Sequence, residues 1–127
     1  MMTLKEALAL SKEELEAFKA DLKVKIEARP ELNAYIDVLN VGDGVPIAIK
    51  DNIQVKGWSV TASSNILQGY VAPYNATVIE RLKNAGLSPF GRTNMAEFAL
   101  GSTTETSFYG KPLNPHNSEC VPGGSSG

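Results

Sequence analysis

The sequence holds one cysteine, Cys120, one histidine, His116, and one tryptophan, Trp58. A single thiol excludes an internal disulfide and makes a reducing, cytoplasmic compartment the expectation. A single histidine leaves His116 as the only base for a Ser-His-Asp triad. It sits in the Pro- and Asn-rich "NPHNSEC", where a surface position is expected. Cys120 then lacks a second histidine to activate it, which makes a thiol nucleophile a poor reading. No cluster of side chains has the spacing of metal ligands. No apolar run is long enough to span a bilayer. The charged, amphipathic start "MMTLKEALALSKEELEAFK" lacks the apolar core of a signal peptide. The net charge of -2 argues against a broad nucleic-acid-binding surface, so any RNA role needs a local patch or a partner protein.

What is present describes one modest domain. The chain has 127 residues, 43% of them hydrophobic and 20% charged, enough for one core and too few for two ordinary domains. Thr3 with Glu6, and Ser11 with Glu14, have the spacing of capping boxes. They predict helices over about residues 4–9 and 12–28. Leu15, Phe18, Leu22 and Ile26 share one face of the second helix, and Pro30 ends it. The charge run Lys19 to Glu27 reads as its wet side. "NAYIDVLN" is a strand candidate, and "VGDG" at Val41–Gly44 a tight turn that suits a hairpin. "VPIAIK", Val45 to Lys50, is short, apolar and β-branched, the pattern of a buried strand.

Asn75 reads as the N-cap of "ATVIERLKNAG", with Val78, Ile79 and Leu82 facing inward and Gly86 as the stop. "LSPFGR" is a further short strand, and Pro89 suggests an edge position. Strand, helix and strand make a βαβ unit of an α/β sheet. "TNMAEFAL" predicts one more short helix. From Gly101 onward the chain is loop-like. The expected organisation is therefore α/β: a helical segment over about residues 1–30, then the start of a mixed-sheet core over about 34–127. The long final loop leads nowhere, which suggests the front part of a larger single domain.

Lys50 ends an apolar strand in "PIAIKDN". Side chains alternate along a strand, so Lys50 opposes Asp51 and the two are not natural salt-bridge partners. Desolvation at a buried strand end favours the neutral amine, which is a base. "PGGSSG" offers two hydroxyls, Ser125 and Ser126. A flexible tail, a phosphate loop and a hydroxyl presented by strained backbone all fit it. It is not the Gly-x-Ser-x-Gly elbow. "GSTTETS", Gly101–Ser107, is either a plain polar loop or the lining of a pocket for a small polar substrate. Trp58 and the tyrosines read as packing residues.

Taken in order, "PIAIKDN", "APYNATVIERLKNAG", "GRTNMAEFALGSTTETS", "YGKPLNP" and "VPGGSSG" resemble the amidase signature family over nearly all of the chain. The likeness is strongest to its glutamine-hydrolysing, tRNA-dependent amidotransferase branch. That resemblance implies a triad of lysine, a serine preceded by a cis peptide and a nucleophilic serine. Lys50 matches the lysine and Ser125 the cis serine, with Ser126 supporting them. The nucleophile is implied to lie further along than Gly127, so residues 1–127 are expected to be an N-terminal fragment, inactive alone. Gly101, Ser102 and Thr103 are implied to fall near the glutamine pocket. The implied partners are the amidotransferase's B and C subunits, with Glu-tRNA(Gln) handled mainly by the B subunit, which uses ATP with magnesium. No cofactor is expected in this chain. Asn65, where relatives usually carry lysine, and Ala96, where an acid is common, depart from the pattern away from the triad. A hydrolase of another amide and a non-catalytic binding protein stand as alternatives.

Overall fold

In the computed structural model, which describes residues 1–127, two capping boxes open the chain. The Thr3 hydroxyl accepts the Glu6 amide at 3.2 Å, and the Glu6 carboxylate accepts the Thr3 amide at 2.7 Å. Ser11 and Glu14 repeat the arrangement with the same distances. Each box satisfies amides that a helix start leaves unpaired. Helix α1 spans Leu4–Leu8 and α2 spans Lys12–Glu27. Ala28 caps α2, and Pro30 opens the short 3-10 turn Pro30–Leu32. Leu15 is buried with Ala7, Val45 and Leu87, while Phe18, Leu22 and Ile26 are at most half-buried. The predicted wet side has one exception. Lys19 is only 6% exposed, and its ammonium donates to the Gly42 carbonyl at 3.1 Å. Its long stem lies in the contact between α2 and the turn after the first strand.

Strand β1 covers Tyr35–Asn40, β2 Val45–Lys50, helix α3 Thr77–Asn84 and β3 Leu87–Thr93. The sheet order is β1-β3-β2, with β2 parallel and β1 antiparallel to β3. The expected α/β class and the βαβ unit, β2–α3–β3, are both present. The expected hairpin is not: β1 and β2 do not pair, because β3 lies between them. The turn at Val41–Gly44 crosses the start of β3. Val41 donates to Pro89 O at 3.1 Å, Gly44 to Ser88 Oγ at 2.6 Å and Val45 to Gly86 O at 2.9 Å.

Pro89 therefore sits in the central strand, not at an edge. Irregular pairing accommodates it. The β2 register shifts between Ile47 and Ile49, opposite Pro89, and the β1 register shifts on either side of Asp37. Gly91 takes φ +78 within this irregular stretch, a value that costs other residues steric strain.

Helix α3 buries Ile79 against Ile49, Val55 and Trp58, with Leu82 half-buried beside them. Val78, expected inside, is exposed, since so short a helix presents a narrow apolar face. The cap residue is Ala76, not Asn75. Asn75 instead accepts the Lys56 amide at 2.8 Å and donates to Glu80, tying the preceding loop to the helix. Gly86, at φ +89, ends the segment as expected. "TNMAEFAL" forms only a 3-10 turn, Glu97–Ala99, with Phe98 and Ala99 at left-handed φ. Its amides are drawn elsewhere: Ala96 N–H donates to Ser125 O at 2.8 Å and Phe98 N–H to Ala62 O at 3.0 Å. No regular element follows. No helix is long and apolar enough to cross a membrane.

Two outcomes follow from these contacts. A Cβ at Gly91 would lie 2.7 Å from the Tyr35 ring, on backbone that already disfavours a side chain. Gly91→Ala is expected to lower stability by about 1–3 kcal/mol, measured by urea unfolding. Burial pushes the Lys19 ammonium below the ordinary lysine value, with Asp43 and Glu16 pulling it back up. Between the folded and unfolded values the folded chain has lost that proton and the unfolded chain holds it. Stability then rises with pH in the window just below the ordinary lysine pKa of about 10.4. Lys19→Met is expected to remove that rise from a series of urea midpoints.

Candidate active site

Lys50 closes β2, paired with Thr93 on β3. Alternation along the strand sends its side chain and that of Asp51 to opposite sides. Lys50 Nζ donates to Ser125 Oγ at 2.8 Å, a contact between residues 75 apart in the chain. Both side chains belong to half-buried residues.

The segment carrying Ser125 is held at three points. Gly123 and Gly124 take φ +93 and +68, turning the backbone back toward the sheet. Ser125 O accepts the Ala96 amide at 2.8 Å. Thr104 Oγ1 donates to Gly124 O at 2.8 Å and accepts the Gly127 amide at 3.2 Å. The chain has no cis peptide, so the Gly124–Ser125 bond is trans, in correction of the expected cis bond. The trans isomer is the ordinary one for a non-proline residue.

Behind Lys50 lies a buried polar cluster. The Asp51 carboxylate belongs to a residue 1% exposed. It accepts from Thr61 N at 3.2 Å, Thr61 Oγ1 at 2.6 Å, Ser63 N at 2.8 Å and Arg92 Nη1 at 2.9 Å. Arg92 also grips Asp37 Oδ2 through Nε at 3.0 Å and Nη2 at 2.7 Å. The Tyr109 ring covers the guanidinium, with its centroid 5.7 Å away. Desolvation opposes the Arg92 charge, but Asp51 and Asp37 outweigh it and hold the group above its ordinary value. Next to this pair, Asn94 Oδ1 accepts from Ser63 Oγ and Ser107 Oγ, and its amide group donates to Asn33 O and Gly110 O.

The remaining predicted residues are placed differently. Gly101 and Ser102 are exposed, and Thr103 donates to Glu105 Oε2 at 2.7 Å. None of the three hydrogen-bonds to Lys50 or Ser125; their neighbour Thr104 reaches the serine segment instead. Ser126, expected to support the pair, is exposed and bonds to neither member. His116 and Cys120 are exposed. Two surface clefts, of about 230 and 360 Å³, lie against α2 and include neither Lys50 nor Ser125.

Sequence reasoning missed Arg92, Asp37, Asn94 and Thr104. Their partners are up to 61 residues away in the chain, and no local pattern announces them. The one available signal for Asp51 and Arg92 is a charge set against an apolar strand segment in each case. Removing Arg92 would leave the Asp51 charge buried without its cation. Arg92→Met is expected to cost about 3–5 kcal/mol in urea unfolding, and adding Asp51→Asn is expected to recover part of that loss.

The Amidase family model matches residues 4–127. Over 127 residues the chain is 81% identical to the A subunit of glutamyl-tRNA(Gln) amidotransferase from Sulfurimonas denitrificans, and spans 28% of that protein's length. It superposes on the crystal structure of the same subunit from Thermotoga maritima with a TM-score of 0.88 at 38% identity. That match covers 98% of this chain and 30% of the other. The structure of 6-aminohexanoate cyclic dimer hydrolase, complexed with substrate, matches with a TM-score of 0.79 at 30% identity, covering 92% of this chain and 27% of that one.

Proposed function

Because this chain belongs to the Amidase family, we propose that Lys50 and Ser125 form the proton relay of the glutamine-hydrolysing component of an amidotransferase. The single observation that carries the reading is the 2.8 Å contact between Lys50 Nζ and Ser125 Oγ. An amine and a hydroxyl in contact can move a proton in either direction, which is the service a serine nucleophile needs. The names of the relatives support glutamine and Glu-tRNA(Gln) as the chemistry served.

In this reading the attacking serine belongs to the part of the relatives' length that this chain does not span. Its hydroxyl proton passes to Ser125 Oγ as the Ser125 proton passes to Lys50 Nζ. The serine oxygen bonds to the side-chain amide carbon of glutamine, and the carbon–nitrogen bond breaks. The relay returns its proton to the departing nitrogen, and ammonia leaves. Water, deprotonated by the same relay, then hydrolyses the acyl-enzyme to glutamate. Ammonia goes to the B subunit, which amidates Glu-tRNA(Gln) using ATP and magnesium, while the C subunit braces the pair. This chain contributes no residue to the ATP site. Gly101, Ser102 and Thr103 form one edge of the glutamine pocket. Residues 1–127 alone release no ammonia.

The test uses the intact protein, assembled with its partners. Lys50→Ala and Ser125→Ala are each expected to cut glutamine-dependent ammonia release by about 10²–10⁴-fold, with circular dichroism unchanged. Wild-type turnover in either variant overturns the relay. Hydrolysis of a different amide, with none of glutamine, would move the assignment to an amidase of another substrate.

A further inference from the structure

We propose that Thr104 is a positioning residue that aims the Ser125 hydroxyl; the proposal rests on the relay reading above. A hydroxyl has one proton to give and lone pairs to receive. Thr104 uses both on the same segment. It donates to Gly124 O, before the two serines, and accepts from Gly127 N–H, after them. One side chain thus brackets Ser125 and Ser126.

Four further features point to the same role. Thr104 is fully buried. Its φ is +62, a left-handed value costing a β-branched residue about 1–3 kcal/mol, which the surroundings must hold in place. Its neighbours Gly101, Ser102 and Thr103 are exposed or half-buried and do not reach the serine segment. Gly127 has no room for a side chain, because a Cβ there would overlap Thr104 Oγ1 and come within 2.8 Å of Pro122 Cγ.

The bracket has work to do because of the glycines around it. Gly123 and Gly124 let the chain turn toward Lys50, and equally let it turn elsewhere. The Ala96 amide fixes the carbonyl of Ser125. That is one point, and a segment pinned at one point can still pivot. Thr104 adds a point on either side, and its stiff χ1 holds the hydroxyl between them. A relay tolerates little displacement, since a shift of about 1 Å can cost a hundredfold in rate.

Kinetics on the intact, assembled enzyme test this. Thr104→Val keeps the shape and removes both bonds. It is expected to lower kcat for glutamine hydrolysis by about 10- to 100-fold, with KM nearly unchanged and a wild-type melting profile. Thr104→Ser restores the hydroxyl and is expected to recover most of that loss. Gly127→Ala, which pushes against Thr104 from the other side, is expected to reproduce the kcat defect. It carries the test if Thr104→Val fails to fold. Wild-type kcat in Thr104→Val, or in Gly127→Ala should the first not fold, overturns the inference. Equal losses in Thr104→Val and Thr104→Ser overturn it too, since serine keeps the hydroxyl that makes both bonds. Ser125→Ala separates the two readings. If it is inactive while Thr104→Val is normal, only the positioning role falls. If it turns over normally, the relay falls and takes this inference with it.

Discussion

The Asp51–Arg92 ion pair organises this structure. Arg92 lies on β3, the central strand, and holds Asp37 of β1 on one side and Asp51, just past β2, on the other. One guanidinium therefore ties the three strands together at the end from which Lys50 projects. Asp51 extends the tie to the loop through Thr61 and Ser63. Burying these charges carries a desolvation cost, which for Arg92 the two carboxylates outweigh. The cluster also gives the strand end a defined position. Every buried side-chain nitrogen and oxygen has a hydrogen-bond partner, the condition under which a buried polar network fixes one arrangement.

Lys50 inherits that order from the residue beside it. With Asp51 fixed on one side, strand alternation leaves the Lys50 side chain on the other, where Ser125 meets it. The serine arrives by different means. No strand or helix carries it; loop contacts to Ala96 and Thr104 hold it. The site thus joins a group on a rigid strand to a group on a tethered loop. By name, the similar proteins include an amidotransferase subunit and a cyclic dimer hydrolase. A shared fold thus carries more than one activity, which lives in the sites built on it.

Much of this was legible in the sequence, and the failures have physical causes. Capping boxes at Thr3 and Ser11, the apolar run of β2 and the stop at Gly86 are local signals, and each marked its element. Pro89 misled because a proline usually avoids central strands; here shifted register and Gly91 accommodate it. Asn75 misled because it has a cap residue's chemistry yet uses it on Lys56 and Glu80. Lys19 was indistinguishable from its exposed neighbours, since burial by another segment leaves no trace in helical spacing. Lys50 and Ser125 could be singled out, one by its strand and both by family likeness. Their meeting could not be read from either segment alone. Arg92 and Thr104 stayed hidden because their roles exist only between segments brought together by folding.

A double-variant cycle on glutamine hydrolysis by the intact enzyme tests the relay most directly. Two groups that pass one proton act as a unit, so losing either disables both. The account predicts that Lys50→Ala combined with Ser125→Ala is no slower than the slower single variant. A double variant whose loss equals the product of the two single losses would show that the residues act independently, and would contradict it.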